Sequence, residues 1–272
     1  MKLQLIPIYA LFGLGSAVML VPFLWMISTS LKEISEIFVY PPVWIPSEPL
    51  WSNYTYVLEL LPFGRYLANT VFVATTVTIL EVVTSSLAAY AFARIDFPGR
   101  ERVFLIYLAT LMVPGQVTII PNFLLISWLG WNNTYLALII PAAFSAFGTF
   151  LLRQFFLSIP AELEQAARID GCGYVGIYRH IILPLSGPAV ATLTIFVFMA
   201  QWNSFLWPLI VTNSEYMRTL TVGLSYFRDE QASQFNYLMA GTVMNVIPIL
   251  IVYIVLQRYF VRGIALTGLT GR

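Results

Sequence analysis

The sequence predicts an all-α integral membrane protein with six transmembrane helices and one helix-turn-helix in a cytoplasmic loop. Of its 272 residues, 59% are hydrophobic and only 10% are charged, whereas soluble domains carry about 25% charged residues. Long runs contain almost no charged residue, and each exceeds the roughly 20 residues that a helix needs to cross a bilayer. One amphipathic segment, 158–183, interrupts this pattern.

The charge-free run 103–152 must double back, because a straight helix of that length would reach about 75 Å. The reversal is best placed at 127–134, where Gly130, two Asn and two Trp combine turn residues with interfacial aromatics. Within a single domain of residues 1–272, the predicted spans are approximately 5–31, 66–93, 103–126, 134–152, 184–212 and 236–258. Kinks are expected at Pro114, Pro121 and Pro248.

The basic residues predict the orientation. Ten of the 14 Lys and Arg residues fall on one side of the predicted bilayer, so the positive-inside rule places both termini in the cytoplasm. The connections 94–102 and 153–180 are then cytoplasmic, and 32–65 and 215–230 are external. Lys2 before an apolar run also suits a cleaved signal peptide, but the run 3–31 is much longer than the usual apolar region of about 7–15 residues.

The composition excludes several functions. A net charge of +1 gives no basic field for nucleic acid. The chain has one cysteine, Cys172, and one histidine, His180, so it cannot form an internal disulfide and offers few ligands for a metal centre. We interpret both residues as bystanders and expect no metal or cofactor on this chain. Neither lysine, Lys2 or Lys32, lies in a phosphate-binding loop motif, so any ATP hydrolysis must take place on a separate subunit.

The amphipathic segment predicts two short helices on the membrane surface. Pro160 suits a first helical position, Glu162 and Glu164 favour the helix start, and Gly171 ends the helix. One face of the first helix would be formed by Leu163, Ala166, Ala167 and Asp170, and one face of the second by Tyr174, Ile177, Tyr178 and Ile181. Such a segment can dock a partner or simply pack as a hairpin, and periodicity alone does not decide between the two.

Five stretches of the sequence resemble a known family. EQAARIDG at 164–171, followed by IILPLSGP at 181–188, resembles the EAA loop by which permease subunits of ABC importers dock on their ATPases. LAAYAFARIDFPGR at 87–100, QWNSFLWPLIV at 201–211 and RTLTVGLSYF at 218–227 resemble the carbohydrate-uptake branch, and most closely its maltose-type second permease. The resemblance covers nearly the whole chain and implies the type I importer permease fold in a bacterial plasma membrane.

The resemblance also implies partners and a docking site. Expected partners are a second permease, two copies of an ABC ATPase holding ATP and Mg²⁺, an extracytoplasmic binding protein, a carbohydrate and membrane lipid. The residues that correspond to the ATPase-docking motif are Glu164, Gln165, Ala166, Ala167, Asp170 and Gly171. Gln165 occupies the position of the motif's glutamate, so it can hydrogen-bond a partner without forming a charge-assisted pair.

Polar residues inside the spans are candidates for a substrate pathway. Glu81 can form a structural interhelical hydrogen bond or line the pathway. Amide and aromatic groups suited to a sugar come from Gln201, Trp202, Asn203 and Asn245, although each also suits packing between helices. No Lys or Arg interrupts spans two to six, so the sequence favours a neutral ligand over glycerol 3-phosphate. The close alternatives to a sugar permease are a glycerol-3-phosphate permease and a polyol permease. A stand-alone secondary transporter using Glu81, and a purely structural scaffold, are alternatives from other classes.

The loop between spans five and six is a candidate contact for the binding protein. Tyr216, Tyr226 and Phe227 place aromatic rings among charged residues, which is typical of contact surfaces. The alternative is that these rings lie at the membrane interface.

Overall fold

The computed structural model describes the backbone of residues 6–230 and 234–267 and the side chains of residues 8–225 and 234–255. These ranges are helical and contain no strand, which confirms the all-α prediction. The α-helices are α1 (Ile6–Ser30), α2 (Ile34–Ile37), α3 (Ser52–Leu60), α4 (Phe63–Arg94), α5 (Arg100–Ala109), α6 (Gly115–Trp128), α7 (Tyr135–Ile139), α8 (Ala146–Leu157), α9 (Ala161–Ile169), α10 (Tyr174–Ile177), α11 (Leu183–Leu185), α12 (Gly187–Trp202), α13 (Leu206–Val211), α14 (Leu220–Glu230) and α15 (Phe235–Thr267). Short 3₁₀ turns occupy Thr110–Met112, Ile140–Ala142 and Glu215–Met217, and a π-helical stretch, Tyr178–Ile182, joins α10 to α11.

Three described helical segments are long and apolar enough to cross a membrane unbroken: Ile8–Ser30, Phe63–Arg94 and Phe235–Val255. Three further pairs of helices pass the same test together but are bent by 98°, 41° and 77°. Counting each bent pair as one span gives six, the number predicted from the sequence.

The bends are sharper than the sequence predicts. Pro114 forces the preceding Val113 into an extended conformation (ψ 115°), so the helix ends there and α6 leaves at 98°. Pro121 and Pro248 instead lie inside α6 and α15 without ending them. The predicted span 184–212 is also interrupted, because α12 ends at Trp202 and α13 begins at Leu206.

The chain divides into two compact units. The first comprises Met1–Tyr66 and Leu220–Pro248. Within it, the amide of Asn53 donates to the carbonyl oxygens of Ser30 (2.9 Å) and Lys32 (3.0 Å). This ties α3 to the end of α1 and satisfies backbone groups that a helix terminus leaves free.

Lys32 is fully buried in the first unit. Its ammonium group donates to the carbonyl oxygen of Val43 and lies 4.1 Å from the centre of the Trp25 ring. Burial lowers the pKa of Lys32, and the nearby charge of Glu36 partly offsets this. Lys32 is therefore a structural cation of this unit.

The second unit comprises Leu67–Thr219 and Ile249–Arg272, and its core joins α4, α8 and α12. Thr84 on α4 donates to the carbonyl oxygen of Ala143 (2.7 Å). A Cβ atom on Gly148 would lie 2.6 Å from Oγ of Ser85, so α4 and α8 approach closely only because this position is glycine.

The predicted reversal at 127–134 is present between α6 and α7. Gly130 and Asn133 both have positive φ angles (69° and 60°), which these two residue types tolerate best. The side-chain oxygen of Asn133 accepts hydrogen bonds from the backbone N–H groups of Asn213 and Ser214, each at 3.0 Å. The reversal is therefore fixed to the segment that follows α13.

Candidate functional site

The segment that resembles the docking motif folds as a helix-turn-helix at 161–185, here called the docking element. Helix α9 begins at Ala161, one residue later than predicted, because Pro160 is the non-helical cap (φ −56°, ψ 132°). At the other end, Gly171 has φ +82°. The N–H groups of Gly171 and Cys172 donate to the carbonyl oxygens of Arg168 and Ala167, at 3.0 and 2.9 Å. This is a Schellman ending, and it confirms that the helix stops at Gly171.

The buried face of α9 differs from the predicted one. Glu164 and Ala167 are its buried residues. Of the four residues predicted to share a face, Ala167 is buried, whereas Leu163, Ala166 and Asp170 are exposed. The reason is electrostatic: the carboxylate of Glu164 meets a buried arginine, and this places Glu164 inside and turns Leu163 outward.

That arginine is Arg94, the last residue of α4, for which the sequence carries no signal beyond its place in the predicted connection 94–102. Its Nε lies 3.0 Å from Oε1 of Glu164, and the two side chains are only 10% and 8% exposed. Its Nη2 donates to the carbonyl oxygens of Phe156 and Ile159, the latter at 2.5 Å. One guanidinium group thus holds the end of α8, the connector and α9.

The remaining motif residues form an outward surface. Gln165, Ala166, Asp170 and Gly171 are exposed, and Ile169 beside them is 87% exposed. A shallow depression continues this surface, lined by Arg168, Gly171, Cys172, Gly173, Tyr174 and Ile177. The side chain that replaces the motif's glutamate, Gln165, therefore faces away from the protein, where a partner can reach it.

The second half of the docking element packs on α4. The hydroxyl groups of Tyr178 and Ser86 are 2.6 Å apart, and the rings of Tyr178 and Tyr90 have centroids 5.3 Å apart. His180 and Cys172 are exposed; Nδ1 of His180 lies 3.0 Å from the carbonyl oxygen of Gly176. No group of three or more His, Cys, Asp or Glu residues that could hold a metal ion occurs among the described residues.

The same end of the second unit carries a further set of ion pairs. Nη2 of Arg153 lies 2.6 Å from the carboxylate of Glu101, and its Nε donates to the carbonyl oxygen of Phe92 (3.2 Å). The guanidinium group also lies 4.1 Å from the Phe104 ring centre. This partnered charge lies inside α8, which extends to Leu157, past the predicted span end at residue 152.

Glu81 lies in the middle of α4, next to the N-terminus of α8. It is 8% exposed and forms a side-chain hydrogen bond with Ser145. Ser145 caps α8 and accepts a hydrogen bond from the N–H of Gly148 (3.1 Å). The N-terminus of a helix favours a carboxylate, so the geometry agrees with the structural interpretation of Glu81.

We expect Glu81→Gln to retain most import activity, because the amide keeps the shape of the side chain and an acceptor for Ser145. Glu81→Leu should reduce the amount of folded protein, since it removes the polar partner of Ser145. The measurement is uptake per inserted molecule at several pH values. Loss of uptake in the Gln variant with normal insertion would instead favour a role for the carboxylate in the pathway.

The other pathway candidates are dispersed. Trp202 is 1% exposed and stacks on Phe198 (5.6 Å between centroids), so in this conformation it offers no ring face to a sugar. The amide of Asn203 donates to the carbonyl oxygen of Met199 (2.8 Å) and thereby caps α12. Gln201, partly buried, lies beside them in the second unit, and Asn245 lies in the first unit.

Of the three aromatic residues proposed for a binding-protein contact, only Tyr216 has a described side chain. It is 71% exposed. Its carbonyl oxygen accepts a hydrogen bond from the amide of Asn69 (2.8 Å), which also donates to the carbonyl of Arg218 (2.9 Å). Asn69, which carries no motif signal, thus anchors the segment that presents Tyr216. The side chains of Tyr226 and Phe227 lie outside the described residues.

Comparison with known proteins gives one family. The model of the binding-protein-dependent transport system inner membrane component family matches residues 81–266. The chain is 39% identical over 227 residues to the arabinooligosaccharides transport system permease protein AraQ of Halalkalibacterium halodurans, covering 83% of this chain and 81% of the relative. It is 36% identical over 263 residues to the sn-glycerol-3-phosphate transport system permease protein UgpE of Agrobacterium fabrum, covering 93% of each.

Two solved structures share the fold. A chain of a bacterial ABC transporter involved in the import of the acidic polysaccharide alginate superposes with a TM-score of 0.83 at 27% identity, covering 95% of this chain and 97% of that one. A chain of a bacterial alginate ABC transporter in complex with an alginate pentasaccharide-bound periplasmic protein gives a TM-score of 0.67 at 16% identity, covering 93% of both.

Proposed function

This chain belongs to the family of binding-protein-dependent transport system inner membrane components, and we propose that it is the permease subunit of an ATP-driven importer for a neutral carbohydrate. The observation that carries the proposal is the docking element. Its inner face is anchored by Glu164 and Ala167, and its outer face presents Gln165, Ala166 and Asp170 to a partner. Ile169 on the same outer face is 87% exposed, and a partner surface would cover this apolar side chain.

The partner of the docking element would be a separate ATPase. The chain has two lysines, Lys2 and Lys32, and Lys32 is buried against Val43 and Trp25. Hydrolysis, with its ATP and Mg²⁺, would then take place on an ABC ATPase, of which the resemblance to importer permeases implies two copies. A second permease subunit and an extracytoplasmic binding protein complete the proposed complex, and the family's description supports the binding protein.

The proposed mechanism is alternating access. Closure of the ATPase dimer would pull on the docking element, and the spans would rock to open the pathway on the opposite side. The short helices and sharp bends of spans three to five offer places where the bundle can change shape. On the external side, Tyr216 is the described candidate for contact with the binding protein.

The distribution of charge favours a neutral substrate. Among the described spanning helices, Arg153 lies inside α8 and Arg179 lies inside the docking element, and the other Lys and Arg residues lie at helix ends. Arg94, at the end of α4, and Arg153, inside α8, are already paired with Glu164 and Glu101. A phosphate or uronate would require a free cation, so the arabinooligosaccharide permease is a better guide to the substrate than the glycerol-3-phosphate or alginate systems. Family membership also disfavours a stand-alone transporter and a structural scaffold.

The test is substrate-stimulated ATP hydrolysis by the purified complex with its binding protein. We expect neutral arabinooligosaccharides to stimulate hydrolysis more than glycerol 3-phosphate or alginate oligosaccharides do. Stimulation by glycerol 3-phosphate alone would establish the second candidate, for which the 36% identity to a glycerol-3-phosphate permease is the supporting observation. Absence of nucleotide-dependent import with every compound would refute the importer proposal.

We also propose that both termini and the docking element lie in the cytoplasm. Cysteines introduced at the exposed Pro98 and Tyr216, in a Cys172→Ser background, provide matched probes. In intact cells, a membrane-impermeant thiol reagent should label Tyr216→Cys and not Pro98→Cys, and inverted vesicles should give the opposite pattern. Labelling of Pro98→Cys from outside would reverse the orientation.

A further inference from the structure

We propose that one face of α4 receives the movement of the docking element, and that Arg94 is the positioning residue through which the movement passes. This inference rests on the proposed function, because it assigns to α4 the force that a partner ATPase would exert. The contacts that carry it join α4 to both halves of the docking element.

Three residues of α4 form this receiving face. Ser86, Tyr90 and Arg94 are spaced by four residues, so they lie along one side of the helix. Ser86 and Tyr90 contact Tyr178 in the second half of the docking element, and Arg94 pairs with Glu164 in the first half. Both halves of the docking element therefore rest on one continuous helix that crosses the membrane.

Arginine suits this position because of its shape. The guanidinium group of Arg94 meets Glu164 through Nε and the carbonyl oxygens of Phe156 and Ile159 through Nη2. A planar guanidinium group can form an ion pair with Glu164 while its Nη2 donates to two carbonyl oxygens, whereas the ammonium group of lysine acts as a compact point charge. The docking element cannot shift relative to α4 without separating the Arg94–Glu164 ion pair or carrying α4 with it.

Burial makes the contact between Arg94 and Glu164 stiff. The side chains of Arg94 and Glu164 are 10% and 8% exposed, so water cannot readily replace the lost partner if the two separate. Removing one member of a buried ion pair is far more disruptive than removing a surface pair, because the other charge is left without compensation. The pair is thus suited to transmit a displacement as a rigid contact.

The receiving end of α4 is connected to the loop that follows it. Arg100 donates to the carbonyl oxygen of Ile95 (3.3 Å) and pairs with Asp96 (2.8 Å), and Arg153 donates to the carbonyl oxygen of Phe92. A displacement of the end of α4 should therefore change the protection of backbone amides at 96–102. This loop provides a reporter that is separate from the docking element.

Hydrogen exchange of the full complex, with and without Mg²⁺-ATP plus vanadate, tests the proposal. In the unmodified protein, trapping the nucleotide should change exchange both in the docking element and at 96–102. In Arg94→Gln, the docking element should still respond, because its outer face is intact, but the response at 96–102 should be lost. Without nucleotide, amides at 158–169 should exchange at least about tenfold faster than in the unmodified protein.

Two variants sharpen the result. Arg102→Gln removes an exposed arginine from the same loop and should leave both responses unchanged. Arg94→Lys keeps a positive charge opposite Glu164 but lacks the planar guanidinium group, so we expect an intermediate exchange response at 96–102. If Arg94→Gln does not assemble, Arg94→Lys provides the test. A full exchange response at 96–102 in assembled Arg94→Gln or Arg94→Lys overturns this inference and leaves the proposed function intact. Absence of any nucleotide response in the docking element of the unmodified complex refutes the proposed function instead.

Discussion

Replacing Gly171 by valine is expected to leave the protein inserted in the membrane and to abolish most ATP-driven import. Gly171 has φ +82°, and its N–H closes the Schellman ending of α9 on Arg168. An L-residue in this conformation costs roughly 1–2 kcal/mol, and a β-branched residue is the least tolerated there. The turn should then shift and displace the outer face of the docking element.

The measurement is import and ATP hydrolysis per inserted complex, and both should fall by roughly 5- to 30-fold, the population ratio that 1–2 kcal/mol represents. Gly171→Asn is the matched control, because asparagine tolerates a positive φ. No atom lies within 4 Å of a Cβ placed on Gly171, so the Cβ itself meets no crowding within the chain. Equal activity of the Val and Asn variants would contradict the importance of this turn.

Gly223→Ala is expected to destabilise the first unit strongly. A Cβ at position 223 would lie 2.3 Å from two ring carbons of Tyr66, which is 1% exposed. Overpacking of this kind costs about 1–3 kcal/mol. Thermal unfolding of the purified protein in detergent should therefore occur at a lower midpoint than in the unmodified protein.

Gly64→Ala is the control, since it lies in the same unit and nothing lies within 4 Å of its Cβ. Alanine is a better helix former than glycine by about 1 kcal/mol, so this variant should be neutral or slightly stabilised. The same propensity gain applies to Gly223, so a lower midpoint there isolates the steric effect. An unchanged or higher midpoint for Gly223→Ala would show that Tyr66 can move aside.

The sequence predicted the features that depend on local chemistry. Charge-free runs predicted the helices, Gly130 and its neighbours predicted the reversal, and Gly171 predicted the end of α9. In each case the signal and the structure lie within a few residues of one another. Turn residues act on the backbone directly, so they can be recognised without knowledge of the fold.

The features that the sequence did not predict depend on contacts between distant residues. Helix periodicity indicated a face containing Leu163 and Ala166, but the face is set by Glu164, whose partner Arg94 lies on another helix. Asn69 and Asn133 also anchor segments far along the chain. Such pairings leave no periodic signal in the sequence, because a buried charged residue cannot be distinguished from an exposed one until its partner is located.

The break after Trp202 has a similar origin. Asn203 looked like a sugar-binding amide within a continuous span, but its side chain caps α12, and α13 then begins at Leu206. The indole N–H of Trp207 donates to the carbonyl oxygen of Ala137 (2.9 Å), which ties α13 to α7. A local cap and a distant partner together explain an interruption that hydropathy does not reveal.

The most direct measurement is site-specific photocrosslinking from the outer face of the docking element. A photoreactive phenylalanine analogue in place of Ile169, which is 87% exposed, should capture the ATP-hydrolysing subunit in membranes that import the sugar. The same analogue in place of Tyr216, on the predicted external side, should not capture that subunit. An active complex in which position 169 never crosslinks to the ATPase, while position 216 does, would contradict the assignment of residues 161–185 as the docking element.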